Sequence, residues 1–382
     1  MVGYDMVQHY KYSAPGRTEI CGNHTDHQHG CVLAAAVNLE TVADVVLNGT
    51  NEIRIRSEGY PEFSVSLEDL EVQENEKNTT AALVRGVAKA FSDCGAVLKG
   101  FDAAIRSSVL PGSGLSSSAA FEVLIGTICN DLFYENKLTA IEIAQIGQWA
   151  ENVYFGKPCG LMDQMASSVG GMVYIDFENP DAPVVEKVDF DFSKSGYTLC
   201  IIDSGADHAD LTDEYAAITQ ELKQLCACFG KEYLRQIPET EFMEALPTIR
   251  GKITDRAILR AIHVYAENKR VNRQVEALRA GDFDTFLKLS TKSGHSSWMY
   301  LQNICPAGAI QHQAVALALA LCDTLLAGEG AYRVHGGGFA GTVQAFVPNN
   351  MLSEFNRNIE KTLGEGKCHV LNIRPYGGIR MC

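Results

Sequence analysis

Short apolar and β-branched runs alternate with helix-period segments through the first half of the chain. Residues 41–47, 53–56 and 63–67 read as strands. Residues 78–92 carry apolar positions at helical spacing, with Thr79 or Thr80 as the N-cap. Residues 103–109 read as a strand that runs straight into a Gly/Ser loop, and 118–132 as the helix after it. A further helix is predicted over 140–153, then strands at 172–177 and 199–203. The second half is more helical, with helices over 212–229, 253–280 and 283–293. An amphipathic core helix follows at 309–327, and strands at 331–334 and 343–347 flank the glycine run 336–338. A polar stretch at 187–196 separates two strand signals and places a domain boundary near residue 190.

Composition narrows this only modestly. The 382 residues are 46% hydrophobic and 21% charged, which suits an ordinary globular protein of two domains. The net charge of −15 disfavours nucleic acid and anionic membranes as partners. Twelve scattered cysteines show no zinc-ligand spacing, and the first residues have no signal-peptide pattern. No apolar run is long enough to span a bilayer, so a reducing cytoplasm is expected.

The chemistry concentrates in PGSGLSSSAAFE, residues 111–122. Gly112 and Gly114 permit positive φ and close approach of the backbone. The serines Ser116, Ser117 and Ser118 fall at the first turn of a helix, where unpaired N–H groups and the dipole favour an anion. A glycine turn with a serine cap before a core helix is the bland alternative, and it would win for a lone GxG. The full string is more specific, and it is not the lysine-bearing P-loop.

This string resembles the second motif of the GHMP small-molecule kinases. APGRTEICGNHTDHQHG (14–30) is similar to the galactokinase signature, CGLMDQ (159–164) to its CGIMDQ segment, and HGGGFAG (335–341) to the third GHMP motif. Residues 202–215 and 260–271 also look like galactokinase segments, so the resemblance runs from about residue 14 to about 347. It implies a two-domain α+β GHMP kinase fold, with a ribosomal-protein-S5-like domain (1–190), a ferredoxin-like domain (191–382) and the active site in the cleft between them. The implied activity is an ATP-dependent sugar 1-kinase with Mg²⁺. The cluster His24, His27, His29 is explained by the signature without zinc.

Residue roles follow from the same resemblance. Asp163 stands as the catalytic base or electrostatic aid, with Arg17 beside the transferring phosphoryl group. Gly112, Gly114, Ser116, Ser117 and Ser118 line the phosphates, and Ser118 and Glu151 contact the metal. Asn23, His24, Asp26, Gly160, Asp163 and Tyr215 face the sugar.

Four departures bear on the substrate. Asn23 replaces a glutamate that contacts the sugar near its C6 hydroxyl. Loss of that charge removes a repulsion toward a C6 carboxylate on the order of 1–4 kcal/mol at about 4 Å. The stretch SSWMYLQNI (296–304) replaces a usually acidic segment, and Ala340 replaces a glycine. The chain also starts close before the signature, so some sugar-side structure is expected to be absent or rebuilt. Galactokinase is the first expectation and a galacturonate or other sugar 1-kinase the second. A non-catalytic sugar sensor is third, disfavoured by the intact serine run, Arg17 and Asp163.

Overall fold

The computed structural model describes residues 8–109, 114–157, 159–206 and 211–381. The chain runs β1 (His9–Cys21), β2 (Cys31–Leu47), β3 (Glu52–Ser57), β4 (Phe63–Ser66), α1 (Thr80–Asp93), β5 (Phe101–Ser107), α2 (Ser117–Phe133), α3 (Ala140–Trp149) and α4 (Met162–Val169). It continues through β6 (Met172–Asp176), β7 (Val184–Val188), β8 (Tyr197–Asp203), α5 (Thr212–Ala227), α6 (Glu239–Ile249), α7 (Asp255–Arg279) and α8 (Phe283–Ser296). The last elements are α9 (Ala314–Leu326), β9 (Ala331–His335), β10 (Thr342–Pro348), α10 (Leu352–Leu363), β11 (Cys368–Leu371) and β12 (Ile379–Met381).

Two compact units interleave along the sequence. The first comprises Met1–Arg17, Ala35–Gly171 and Arg374–Cys382, the second Thr18–Ala34 and Met172–Ile373. In the first unit the strands lie in the order β12-β1-β2-β5-β3-β4. β2 and β5 pair antiparallel, whereas β3 and β5 pair parallel. Parallel pairing needs a crossover, and the chain supplies it through α1. Ala43, Val45, Ile53, Ile55, Phe101, Ala103 and Ile105 turn one apolar face of the sheet toward Val84, Val87 and Phe91 of α1 and Val123, Leu124 and Ile128 of α2. Thr79 caps α1 by accepting from the Ala82 amide. A capping box of Thr139 and Glu142 starts α3.

The second unit holds a four-stranded antiparallel sheet in the order β11-β8-β10-β9. Cys200, Ile202, Val334, Val343 and Ala345 of this sheet pack on Val315, Leu319 and Cys322 of α9 and Phe355 and Ile359 of α10. The fold is mixed α and β, as the GHMP resemblance implies. Among the described residues no helix is long and apolar enough to cross a membrane.

Several elements differ from the sequence reading. β1 was not expected, because Pro15, Gly16, Arg17 and Glu19 interrupt its apolar pattern, yet every residue from Tyr12 to Cys21 is buried. β2 begins ten residues before Thr41 in an alanine-rich apolar run. The helix predicted over 140–153 ends at Trp149 and passes into a wider π-type turn, Ala150–Phe155. The helix predicted from 309 starts at Ala314.

Candidate active site

In the first unit, the described residues just before α2 are Gly114, Leu115 and Ser116. Gly112 lies outside the described residues. Gly114 has φ +73° and its carbonyl accepts a hydrogen bond from Arg17 Nη1. Leu115 is fully buried, and its carbonyl accepts from the Arg17 amide at 3.0 Å, which fastens the loop to β1. Ser116 occupies the N-cap position in the left-handed region, φ 55°, a strained setting for a side chain with a Cβ. Its hydroxyl does not cap α2 but donates to Asp163 Oδ2. Ser117 and Ser118 are half-buried in the first turn, where helix amides lack intrahelical partners.

Asp163 sits in the first turn of α4 with 32% of its side chain exposed. Arg17 grips it with Nε on Oδ1 and Nη2 on Oδ2, both at 2.7 Å. Burial pushes the Asp163 carboxyl up, but the charge and hydrogen bonds of Arg17 and the Ser116 hydroxyl outweigh it. The net position lies below the usual carboxylate range.

Glu151 is buried on the π-type turn. Gln164, one residue past Asp163, donates from Nε2 to Glu151 Oε2 and to Glu122 Oε2, each at 2.9 Å. Burial, then the charge of Glu151, pushes the Glu122 carboxyl well above its ordinary range. Glu122 Oε1 and Gln164 Oε1 are buried without a partner. Gly160 is half-buried, just before α4.

The second unit holds the other expected residues. Asn23 is fully buried. Its Nδ2 donates to the Gly336 carbonyl at 2.6 Å and to Glu19 Oε1 at 3.3 Å. Its Oδ1 accepts from Asn303 Nδ2 at 2.8 Å and Ser297 Oγ at 3.2 Å. His24 Nε2 donates to the Gly337 carbonyl at 2.9 Å, and burial followed by the charge of His27 brings its pKa down to about 4. Tyr215 donates to the Gly338 carbonyl at 2.6 Å. Three consecutive glycine carbonyls are thus held by three of the expected sugar residues. A Cβ on Gly337 would lie 2.5 Å from the Tyr215 ring, and one on Gly338 2.0 Å from the Asn303 carbonyl, so these two positions leave no room for a side chain, while Gly336 has open space but a positive φ of 68°. Asp26 opens a short 3₁₀ turn, and its Oδ1 accepts from the His27 amide at 2.9 Å.

The signature loop is fastened to one face of α7. His263 Nε2 donates to the Asn23 carbonyl at 3.0 Å, and Asn268 Oδ1 accepts from the Cys31 amide at 2.8 Å. Glu267 accepts from the Gly22 amide and Cys21 Sγ, both at 3.2 Å, and from Arg270 Nε at 2.6 Å. The spacing 263, 267 marks one helix face, and that was the available signal for these residues. Gln164 closes the CGLMDQ segment, and Ser297 and Asn303 lie in the departing stretch 296–304, but those segments do not single out the three residues individually.

These features define a GHMP kinase. Residues 82–171 match the family model described as GHMP kinases N terminal domain, and 4–45 that described as galactokinase galactose-binding signature. The fold is shared with a Lactococcus lactis galactokinase complexed with galactose (TM-score 0.81, 24% identity, 98% of this chain and 95% of that one). A galactokinase of Glaesserella parasuis is 32% identical over 368 residues, covering 92% of this chain and 90% of its own. One of Actinobacillus pleuropneumoniae is 32% identical over 377 residues, 94% and 92%. The chain belongs to the galactokinase family, phosphotransferases that act on a sugar hydroxyl with ATP as donor.

Proposed function

We propose that the protein transfers the γ-phosphoryl group of ATP to the anomeric hydroxyl of galactose, giving galactose 1-phosphate and ADP. The observation that carries the reading is the forked Arg17–Asp163 pair, tied through Ser116 to the start of α2. The galactose-binding signature over 4–45 and the relatives' name support galactose as acceptor.

In this reading the first-turn amides of α2 and the hydroxyls of Ser116, Ser117 and Ser118 hold the phosphates, with Gly112 and Gly114 letting the backbone approach. Asp163 accepts a hydrogen bond from the attacking hydroxyl and orients it. A carboxylate with a lowered pKa is a weak base, so it takes the proton late, after bond formation has made the hydroxyl acidic. Arg17 faces the charge that develops on the transferring group. Asp26, His24, Gly160 and Tyr215 form the sugar side, with Asn23 buried behind the glycine run.

Mg²⁺ fits the donors present. Ser118 and Glu151 would offer hard oxygen ligands, and Glu122 Oε1 is a buried oxygen without a partner in the Gln164 network that it shares with Glu151. Mg²⁺ typically takes only one or two protein oxygens and keeps waters and substrate phosphates for the rest. When bound, it would neutralise phosphate charge. A cytoplasmic location belongs to the same proposal, supported by the free thiols of all eleven described cysteines.

The test is ADP release with galactose and galacturonate side by side, for the parent and Asp163→Ala. Galactose should stimulate turnover in the parent, and the variant should lose it by about 10²–10⁴ while still binding both substrates. Preference for galacturonate would replace galactose in the reading. No stimulation by any sugar would leave a sensor.

A further inference from the structure

Asn23 and the stretch 296–304 are separate departures from the family pattern, and in the second unit they touch. Asn23 and Asn303 are fully buried and share a side-chain hydrogen bond of 2.8 Å, with Ser297 joining at 3.2 Å. Both amides then reach the glycine run. Asn23 Nδ2 donates to Gly336 O, and Asn303 Nδ2 to Gly337 O at 3.0 Å. The Asn303 carbonyl also accepts from the Phe339 amide at 2.5 Å.

We infer that Asn23 and Asn303 are a coupled pair of positioning residues that fix the run 336–338, and that Asn23 acts on the sugar through this run rather than by touching C6. The inference rests on the sugar-kinase reading above for its activity readout only. An amide can donate to a carbonyl while accepting from a neighbour, whereas a carboxylate cannot donate. A glutamate at 23 would face the Gly336 carbonyl and the Glu19 carboxylate in a buried setting, where unpaired charge is costly. Asn23 has no exposed atom left for a sugar oxygen.

The experiment is a double-mutant cycle of Asn23→Ala and Asn303→Ala. It reads kcat/KM for galactose and for 6-deoxygalactose, thermal unfolding, and amide hydrogen exchange at 336–338. Each single change should lower kcat/KM roughly tenfold for both sugars, leaving their ratio unchanged, and the double change should cost little more than either alone. Exchange at 336–338 should rise alike in both. A changed ratio of the two sugars in Asn23→Ala would mean direct reading of C6 and overturn the inference. So would independent, multiplying losses, or a lower melting temperature with kcat/KM intact. If the alanine variants do not fold, Asn23→Asp keeps the shape and removes the donor, and the same equal loss on both sugars is expected. If the parent turns over no sugar, the galactose reading fails, and the exchange cycle alone decides the coupling.

Discussion

Arg17 and Asp163, 146 positions apart, meet through two hydrogen bonds of 2.7 Å, so the guanidinium edge forks onto both carboxylate oxygens. Such forked pairs fix orientation as well as charge.

The pair sets a pH dependence. Arg17 is what holds the Asp163 carboxyl low against burial. In the proposed reaction Asp163 acts in its ionised form, which exists above its pKa. In Arg17→Met the raising effect of burial remains, so the acid limb of kcat/KM should move to higher pH, with turnover down by about 10²–10³. An acid limb at the same pH in parent and variant would show that another group titrates there.

Ser116 separates strain from chemistry. Glycine at 116 tolerates φ 55° while losing the hydroxyl to Asp163, and alanine loses the hydroxyl but keeps the strain. Ser116→Gly should be more stable than Ser116→Ala by about 1 kcal/mol. Both should lose turnover by a similar factor. Urea denaturation and ADP release measure the two halves.

Glu267 is wholly buried. Burial pushes its carboxyl up, but Arg270, His263 and Arg333 hold it far below the usual range. Glu267→Gln leaves Arg270 without its partner and should cost about 3–5 kcal/mol in equilibrium unfolding. The exposed pair Arg54–Glu52 is the control, where Glu52→Gln should change stability by less than about 1 kcal/mol.

His24 adds an acid sensitivity. Its pKa is about 4 folded against 6.5 unfolded, so the unfolded chain takes up the proton first. Stability from this group is complete above pH 6.5 and falls as pH drops toward 4, by at most about 3 kcal/mol. In His24→Gln the decline across that window should be shallower. His263, also lowered by burial, keeps part of the slope in the variant.

The helix after the Gly/Ser loop was legible because apolar spacing and motif agree: expected over 118–132, it spans Ser117–Phe133. Thr79 as a cap was readable for the same local reason. β1 was not, since Arg17 and Glu19 are buried by partners far away in sequence, and periodicity cannot see partners. α10 carries Phe355 and Ile359 at i, i+4, the spacing of one buried helix face. The family resemblance singles out Arg17, Asp163 and Tyr215 as candidates. It could not reveal that Asn23 faces Asn303, because that contact exists only after folding.

The fastening of residues 22–31 to α7 has a consequence for engineering. The loop contains little regular structure, and its Gly22, Asn23 and Cys31 backbone groups are held by Glu267, His263 and Asn268. Its shape is therefore inherited from a helix more than two hundred residues downstream. A relative's loop grafted without that helix face would carry the right letters in an untethered segment. To transplant a sugar preference, loop and helix face must travel as one module.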